Sequence, residues 1–204
     1  MIPKIVHQID DGRPVNAVTL ARFYDYEVIY WSVDDLTKLA MASLTPKYYD
    51  LFCLYRPTTQ MPHFGRWLVL HAYGGIFLDQ SIDVRPPDQF LKYHGFCRAS
   101  RGCTITPHFD YVGLEPGHPL CNHIFRVMAE RVTSDSLGFG YATGEKLFQE
   151  IMSQWDRPSD RESISGAPDR NIRYVTSLDG IVSGPIYCSP VILILVLVCI
   201  VLIV

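Results

Sequence analysis

One stretch, Gln60 to Val84 (QMPHFGRWLVLHAYGGIFLDQSIDV), constrains the fold more than any other. Phe64, Trp67, Leu68 and His71 fall at i, i+3, i+4 and i+7, one face of a helix. Thr59 stands where it can cap that helix, and Pro62 falls in the first turn, where backbone N–H groups lack helical partners anyway. Gly74-Gly75 sits where the helix needs a left-handed residue to end, and Ile76-Phe77-Leu78 then reads as a short buried strand. Asp79 emerges at the carboxyl end of that strand. In open α/β sheets this is the edge where ligands bind.

The preceding residues alternate strand and helix. Residues 3–8 (PKIVHQ) read as a first strand that delivers His7 and Gln8 to a loop at 10–14. Tyr26 to Trp31 reads as a second strand, with Ser32 capping a helix that has Asp34 and Asp35 in its first turn. Helices are expected over Asp34–Ala42 and Pro46–Tyr55, with a break at 56–59. Alternation of this kind argues for an α/β fold with a mostly parallel sheet flanked by helices. At 204 residues, 48% of them hydrophobic, one domain with a sizeable core is expected.

Beyond Asp83, Val84-Arg85-Pro86-Pro87 is extended and cannot continue a central strand. Phe96 to Ile105 is expected in the sheet, Phe109 to Gly113 leads into Glu115-Pro116-Gly117-His118-Pro119, and Leu120 to Arg131 reads as an amphipathic helix. Ser153 to Arg173 is polar and reads as an exposed loop. The net charge of −3, with Lys and Arg scattered, leaves no basic field for nucleic acid.

The six cysteines lack paired C-x-x-C spacing, so they do not suggest zinc; Cys97 and Cys103 read either as a bridge formed in an oxidising lumen or as free buried thiols. The N-terminal residues read as a strand start rather than a signal peptide. At the other end, Val191 to Val204 is unbroken apolar sequence, and counted from Tyr187 it approaches a membrane-spanning length. The expected organisation is a domain over residues 1–180 and an apolar membrane segment over 187–204.

The stretch from Gln60 to Val84, together with MIPKIVHQ at the start, resembles glycosyltransferase family 32, which includes fungal mannosyltransferases acting on glycans and on inositol phosphoceramide. That family reads roughly I-P-K-I-I-H-Q-I-W near its start and Q-R-A-D-F-x-R-Y-x-x-L-Y-x-Y-G-G-I-Y-x-D-x-D later. Gln60, Phe64, Arg66, Leu70, Tyr73, Gly74, Gly75, Ile76 and Asp79 match, as do Asp110, Pro116, His118 and Pro119 in a later segment.

The resemblance implies a GT-A-like, Rossmann-like fold and transfer of a sugar from a nucleotide-sugar donor, GDP-mannose or a UDP-sugar, to a glycan or glycolipid acceptor. It also implies retention of configuration, a Mn²⁺ (or Mg²⁺) cofactor and a Golgi or other endomembrane location. It assigns Asp79 and Arg66 to catalysis, and places His7, Gln8, His63, Gly74, Gly75 and Asp110 around the donor. Asp79 would bind the metal, with Asp83 or His118 completing its shell. Arg66 has a second reading, as an ion-pair partner of Asp79 that fastens helix to strand.

A transferase of this kind must stabilise the charge that builds on the leaving diphosphate, which a carboxylate-held divalent cation does as a Lewis acid. Four positions depart from the family's pattern: Asp10 replaces the Trp, Met61 and His63 stand within the R-A-D element, and Ser81 replaces the second carboxylate of D-x-D. A hydroxyl is a weaker ligand than a carboxylate for a hard cation. The departures keep a second reading open, a catalytically inactive glycosyltransferase-like membrane protein with a binding or scaffolding role.

Overall fold

A computed structural model describes residues 1–10, 12, 15–57, 59–101, 105–132, 143–155 and 172–175. Its elements in chain order are β1 (Ile5–Ile9), α1 (Ala17–Ala21), β2 (Glu27–Trp31), α2 (Val33–Ser43), α3 (Pro46–Leu54), α4 (Gln60–Tyr73), β3 (Gly75–Leu78), β4 (Gly95–Arg101), β5 (Ile105–Leu114), α5 (Pro119–Val132), α6 (Glu145–Trp155) and β6 (Ile172–Val175). A short 3₁₀ turn, Asp88–Phe90, lies between β3 and β4. The apolar run 187–204 and Cys103 lie outside the described residues. Among the described residues, no helix is long and apolar enough to cross a membrane.

The strands form one sheet in the order β2-β1-β3-β5-β4-β6. β1 pairs in parallel with β2 and β3, and β4 with β6, whereas β5 runs antiparallel to both β3 and β4. Among the described strands β5 alone runs against the others, so the sheet is mostly parallel, as expected, with one antiparallel strand inserted. β5 follows β4 almost at once, too close for a helical crossover, so the two pair as a hairpin. That hairpin then inserts β5 beside β3.

α4 is the centre of the fold, and it is buried on more than the one face its spacing predicts. Met61, Pro62, Phe64, Gly65, Arg66, Trp67, Leu68, Val69 and Leu70 are all buried. A helix apolar most of the way round belongs inside, and here α2, α3, α5 and α6 close around it in one hydrophobic cluster with Trp31 and Phe77. Gly65 permits the close approach, since a methyl group there would stand 2.6 Å from Leu36 Cδ1. The opposite sheet face carries a smaller cluster of Val6, Phe23, Tyr26, Ile76, Leu78, Phe96 and Tyr111.

Two local expectations change. Thr59 occupies the N-cap position of α4 without a side-chain cap bond, and Gln60 Oε1 instead accepts from the backbone N–H of Arg56 at 3.1 Å. The region read as loop from Ser153 begins as the last turn of α6, whose Leu147, Phe148, Ile151, Met152 and Trp155 are buried. By contrast, Ser32 caps α2 as expected, accepting from Asp35 N–H at 3.1 Å while the Asp35 carboxylate reaches back to Ser32.

Candidate active site

β3 has two ends with different work. At its start the chain reverses out of α4 through Gly74 (φ 64°) and Gly75 (φ 91°), conformations that side chains rarely adopt. A methyl group on Gly74 would stand 2.6 Å from Pro116 N, and one on Gly75 2.7 Å from Ile5 O. His7 closes this turn, with its Nε2–H donating to Gly74 O at 2.8 Å and its Nδ1 accepting from the Trp31 indole at 3.1 Å. Both ring nitrogens are thereby engaged inside the protein, and burial lowers the imidazole pKa to about 4, so it stays neutral.

At the other end Asp79 leaves the sheet with its N–H bonded to Asp110 O at 2.8 Å. Its Oδ1 accepts from the backbone N–H and hydroxyl of Ser81 at 2.9 and 2.7 Å, so the Asp79-Gln80-Ser81 turn is closed upon itself. Beside it lies a small cleft of about 20 Å³, lined by Ile9, Pro62, Arg66, Phe77, Leu78, Asp79 and Gln80. The Arg66 guanidinium enters it between two aromatic faces, 4.5 Å from the Phe77 ring centre and 4.0 Å from that of Phe109, and donates to Phe109 O at 3.0 Å. The cleft thus holds a cation that cannot be discharged and a carboxylate, at the edge where an α/β sheet binds ligands.

Aiming of these groups depends on an irregularity in β5. Cys97 pairs with Val112 but Arg98 pairs with His108, so Phe109, Asp110 and Tyr111 form a bulge beside Asp79. The bulge presents the Phe109 carbonyl to Arg66 and lets the Asp110 carboxylate take a two-point ion pair from Arg98. His63 joins the same region by packing edge-on against Phe109, with ring centres 5.2 Å apart.

The predicted site residues therefore divide. Asp79, Arg66, His63 and Asp110 come together at the carboxyl end of β3, while His7, Gly74 and Gly75 belong to the turn at its start. Gln8 lies on the other sheet face, only 1% exposed, with no partner for its Oε1.

The metal ligands also separate. Asp83 accepts from Thr19 Oγ1 at 2.9 Å and from both terminal nitrogens of Arg22, which commits it to fastening α1 to the segment after β3. His118 is fully buried, and its Nδ1 accepts from Leu120 N–H at 3.2 Å to cap the first turn of α5. It follows Gly117, whose N–H bonds to His71 O beside the Gly74 turn, so the length of β3, on the order of 13 Å at strand rise, stands between it and Asp79. Asp83 is thus held by Thr19 and Arg22, and His118 lies toward the other end of β3. Among the described residues no group of His, Cys, Asp and Glu is arranged to hold a metal ion. A carboxylate with a neighbouring hydroxyl is a poor donor set for Mn²⁺ or Mg²⁺.

Sequence reading did not single out Gln80, whose Nε2 donates to Ile9 O at 3.3 Å while its buried Oε1 has no partner in the cleft wall. A polar residue between Asp79 and Ser81 in an otherwise apolar strand end was the available signal.

Comparison with known proteins bears on what such a cleft does. No protein-family model matches the chain. It is 26% identical over 177 residues to an uncharacterized glycosyltransferase of Acanthamoeba polyphaga mimivirus, covering 81% of this chain and 70% of that protein. It is 26% identical over 175 residues to inositol phosphoceramide mannosyltransferase 3 of Schizosaccharomyces pombe, covering 79% of this chain and 48% of that one. The match therefore spans under half of the fungal relative. In structure it is similar to the PaToxG glycosyltransferase, with a TM-score of 0.59 at 15% identity, over 88% of this chain and 83% of the other. The chain has the fold of a glycosyltransferase, and the relatives it resembles in sequence carry that activity in their names.

Proposed function

We propose that this protein transfers a hexosyl group from a nucleoside diphosphate sugar, GDP-mannose or a UDP-sugar, to a glycan or glycolipid hydroxyl. The observation that carries the reading is the pairing of Asp79 with Arg66 in one cleft at the carboxyl end of β3. A carboxylate there accepts hydrogen bonds from sugar or ribose hydroxyls, and a buried guanidinium offers charge-assisted bonds to a diphosphate. Opposition of that charge to the leaving group is worth most where water is excluded, and Arg66 is only 4% exposed. The apolar run 187–204 would hold the site at a membrane, where a glycolipid acceptor is presented.

The test is calorimetry of the 204-residue chain in detergent with GDP and with UDP, each with and without Mn²⁺, alongside release of sugar from GDP-mannose and UDP-glucose. Binding of either nucleotide, abolished by Asp79→Ala, supports the reading. No binding at millimolar nucleotide in any condition sinks it.

A second reading, a sugar-nucleotide-binding protein without turnover, is favoured by Ser81 in place of a second carboxylate and by the ion pair that occupies Asp83. Nucleotide binding with no sugar released or transferred would select it.

A further inference from the structure

Gln80 stands between Asp79 and Ser81 in an exposed kind of turn, yet the residue is only 9% exposed and forms part of the cleft wall with Ile9, Arg66 and Asp79. Its Nε2 donates to Ile9 O at 3.3 Å. A carbonyl can only accept, so this bond fixes the amide with its nitrogen on β1 and its oxygen turned away from it. That oxygen, Oε1, is buried and takes no hydrogen bond among the described residues. Buried acceptors are ordinarily met, so an unmet one in the wall of a cleft has to be accounted for.

The size of the cleft decides what can meet that oxygen. At about 20 Å³ it admits one group the size of a hydroxyl and no sugar ring or nucleobase. A hydroxyl projects from its ring and can enter alone, whereas the ring N–H of a base cannot. Phosphate oxygens only accept, so Oε1 repels them. Recognition is thereby divided within one wall: the Arg66 guanidinium suits the diphosphate, and the Asp79 carboxylate and Gln80 Oε1, on adjacent residues, suit hydroxyls. A nucleoside diphosphate sugar carries hydroxyls on both its ribose and its hexose.

Resting on the glycosyltransferase reading, we propose that Gln80 is a donor-binding residue whose Oε1 accepts from one hydroxyl of the nucleotide sugar beside the Asp79 carboxylate. The bond to Ile9 O holds the amide in that orientation before the ligand arrives, so binding orders no further side chain there. A ligand without the hydroxyl leaves the acceptor cut off from water and unmet. Rejection of such analogues is therefore sharper than the loss of one solvent-exposed hydrogen bond.

The experiment is calorimetry of the 204-residue chain in detergent, with and without Mn²⁺. The ligands are GDP, UDP, GDP-mannose and UDP-glucose, and the 2′-deoxy and 3′-deoxy forms of whichever nucleotide binds. Gln80→Met, similar in length but without the amide, is expected to bind a ligand carrying the hydroxyl about 5- to 100-fold more weakly than wild type does. For a ligand lacking it, variant and wild type should agree within about twofold. A loss seen with GDP or UDP but absent with one deoxy form puts the hydroxyl on the ribose. A loss confined to the nucleotide sugars puts it on the hexose. Thermal unfolding checks that the variant is folded, and Gln80→Leu takes its place where it is not. Equal loss with every ligand, both deoxy forms included, would mean that Gln80 only fastens the turn to β1. That result, or wild-type affinity of the variant for every ligand, overturns the assignment while leaving the glycosyltransferase reading in place. A wild-type chain that binds neither nucleotide nor nucleotide sugar overturns both.

Discussion

The Nε2–H of His7 donates to the carbonyl of Gly74 across 67 positions of sequence, and this bond ties the middle of β1 to the turn that starts β3. A second bond requires the neutral ring, because Nδ1 accepts from the Trp31 indole. Protonation would set a hydrogen on each nitrogen and break the indole bond.

Stability is therefore expected to depend on pH through His7. Its folded pKa, about 4, lies below the ordinary 6.5, so the stabilisation is complete above pH 6.5 and is lost as pH falls toward 4. The full loss is worth about 3 kcal/mol. His71 and His123, also lowered by burial, add in the same direction. Thermal unfolding of wild type and His7→Gln from pH 7.5 to 4 checks this: the variant should start lower and fall less.

Gly75→Ala should destabilise more than an ordinary surface change. Its φ of 91° is strained for any side chain, and the added methyl would meet backbone, Ile5 O, rather than a flexible side-chain end. Strain of this kind costs about 1–3 kcal/mol before the clash is counted. A lower urea midpoint with unchanged slope is the expected signature.

Asp83→Asn separates an ion pair from a metal ligand. Asp83 and Arg22 are 43% and 34% exposed, so their pairing contributes no more than about 1 kcal/mol. The variant should lose a few degrees of Tm and bind nucleotide as wild type does, with or without Mn²⁺. Loss of Mn²⁺-dependent binding alone would return Asp83 to the metal shell.

Ser81→Asp restores the second carboxylate that D-x-D enzymes carry. Ser81 now donates to Asp79 Oδ1, so the substitution both opens that turn and supplies a second anionic oxygen ligand. Calorimetry should show tighter Mn²⁺-dependent GDP or UDP binding in the variant. Unchanged Mn²⁺ affinity would show that the Asp79 turn is not where a cation sits.

What the sequence disclosed was local. Phe64, Trp67, Leu68 and the two glycines announce α4, its end and β3, because helical spacing and positive φ leave marks within a few residues. α6 was equally readable from Leu147, Phe148, Ile151, Met152 and Trp155, but the polar residues following it obscured the stripe. Pairings across the sheet left no such mark. Nothing near Asp83 announces Arg22, 61 positions away, and nothing near His118 tells that it faces the far end of β3 from Asp79. Residues that match one family motif thus part into two groups once the chain folds: some shape the turn into β3 and others line the cleft beyond it.

The slip of register at Phe109–Tyr111 has a consequence for how such a protein diversifies. Residues on the β3 side of it obey the pleat of the core, where a one-position change of phase would turn apolar side chains outward. Residues 98–101 and 105–108 lie past the slip and keep their own phase. Exchange or lengthening of that projecting segment leaves the packing of Ile76, Phe77 and Leu78 untouched. Change on the hairpin can therefore accumulate while the cleft beside Asp79 and the stability of the domain are inherited unchanged.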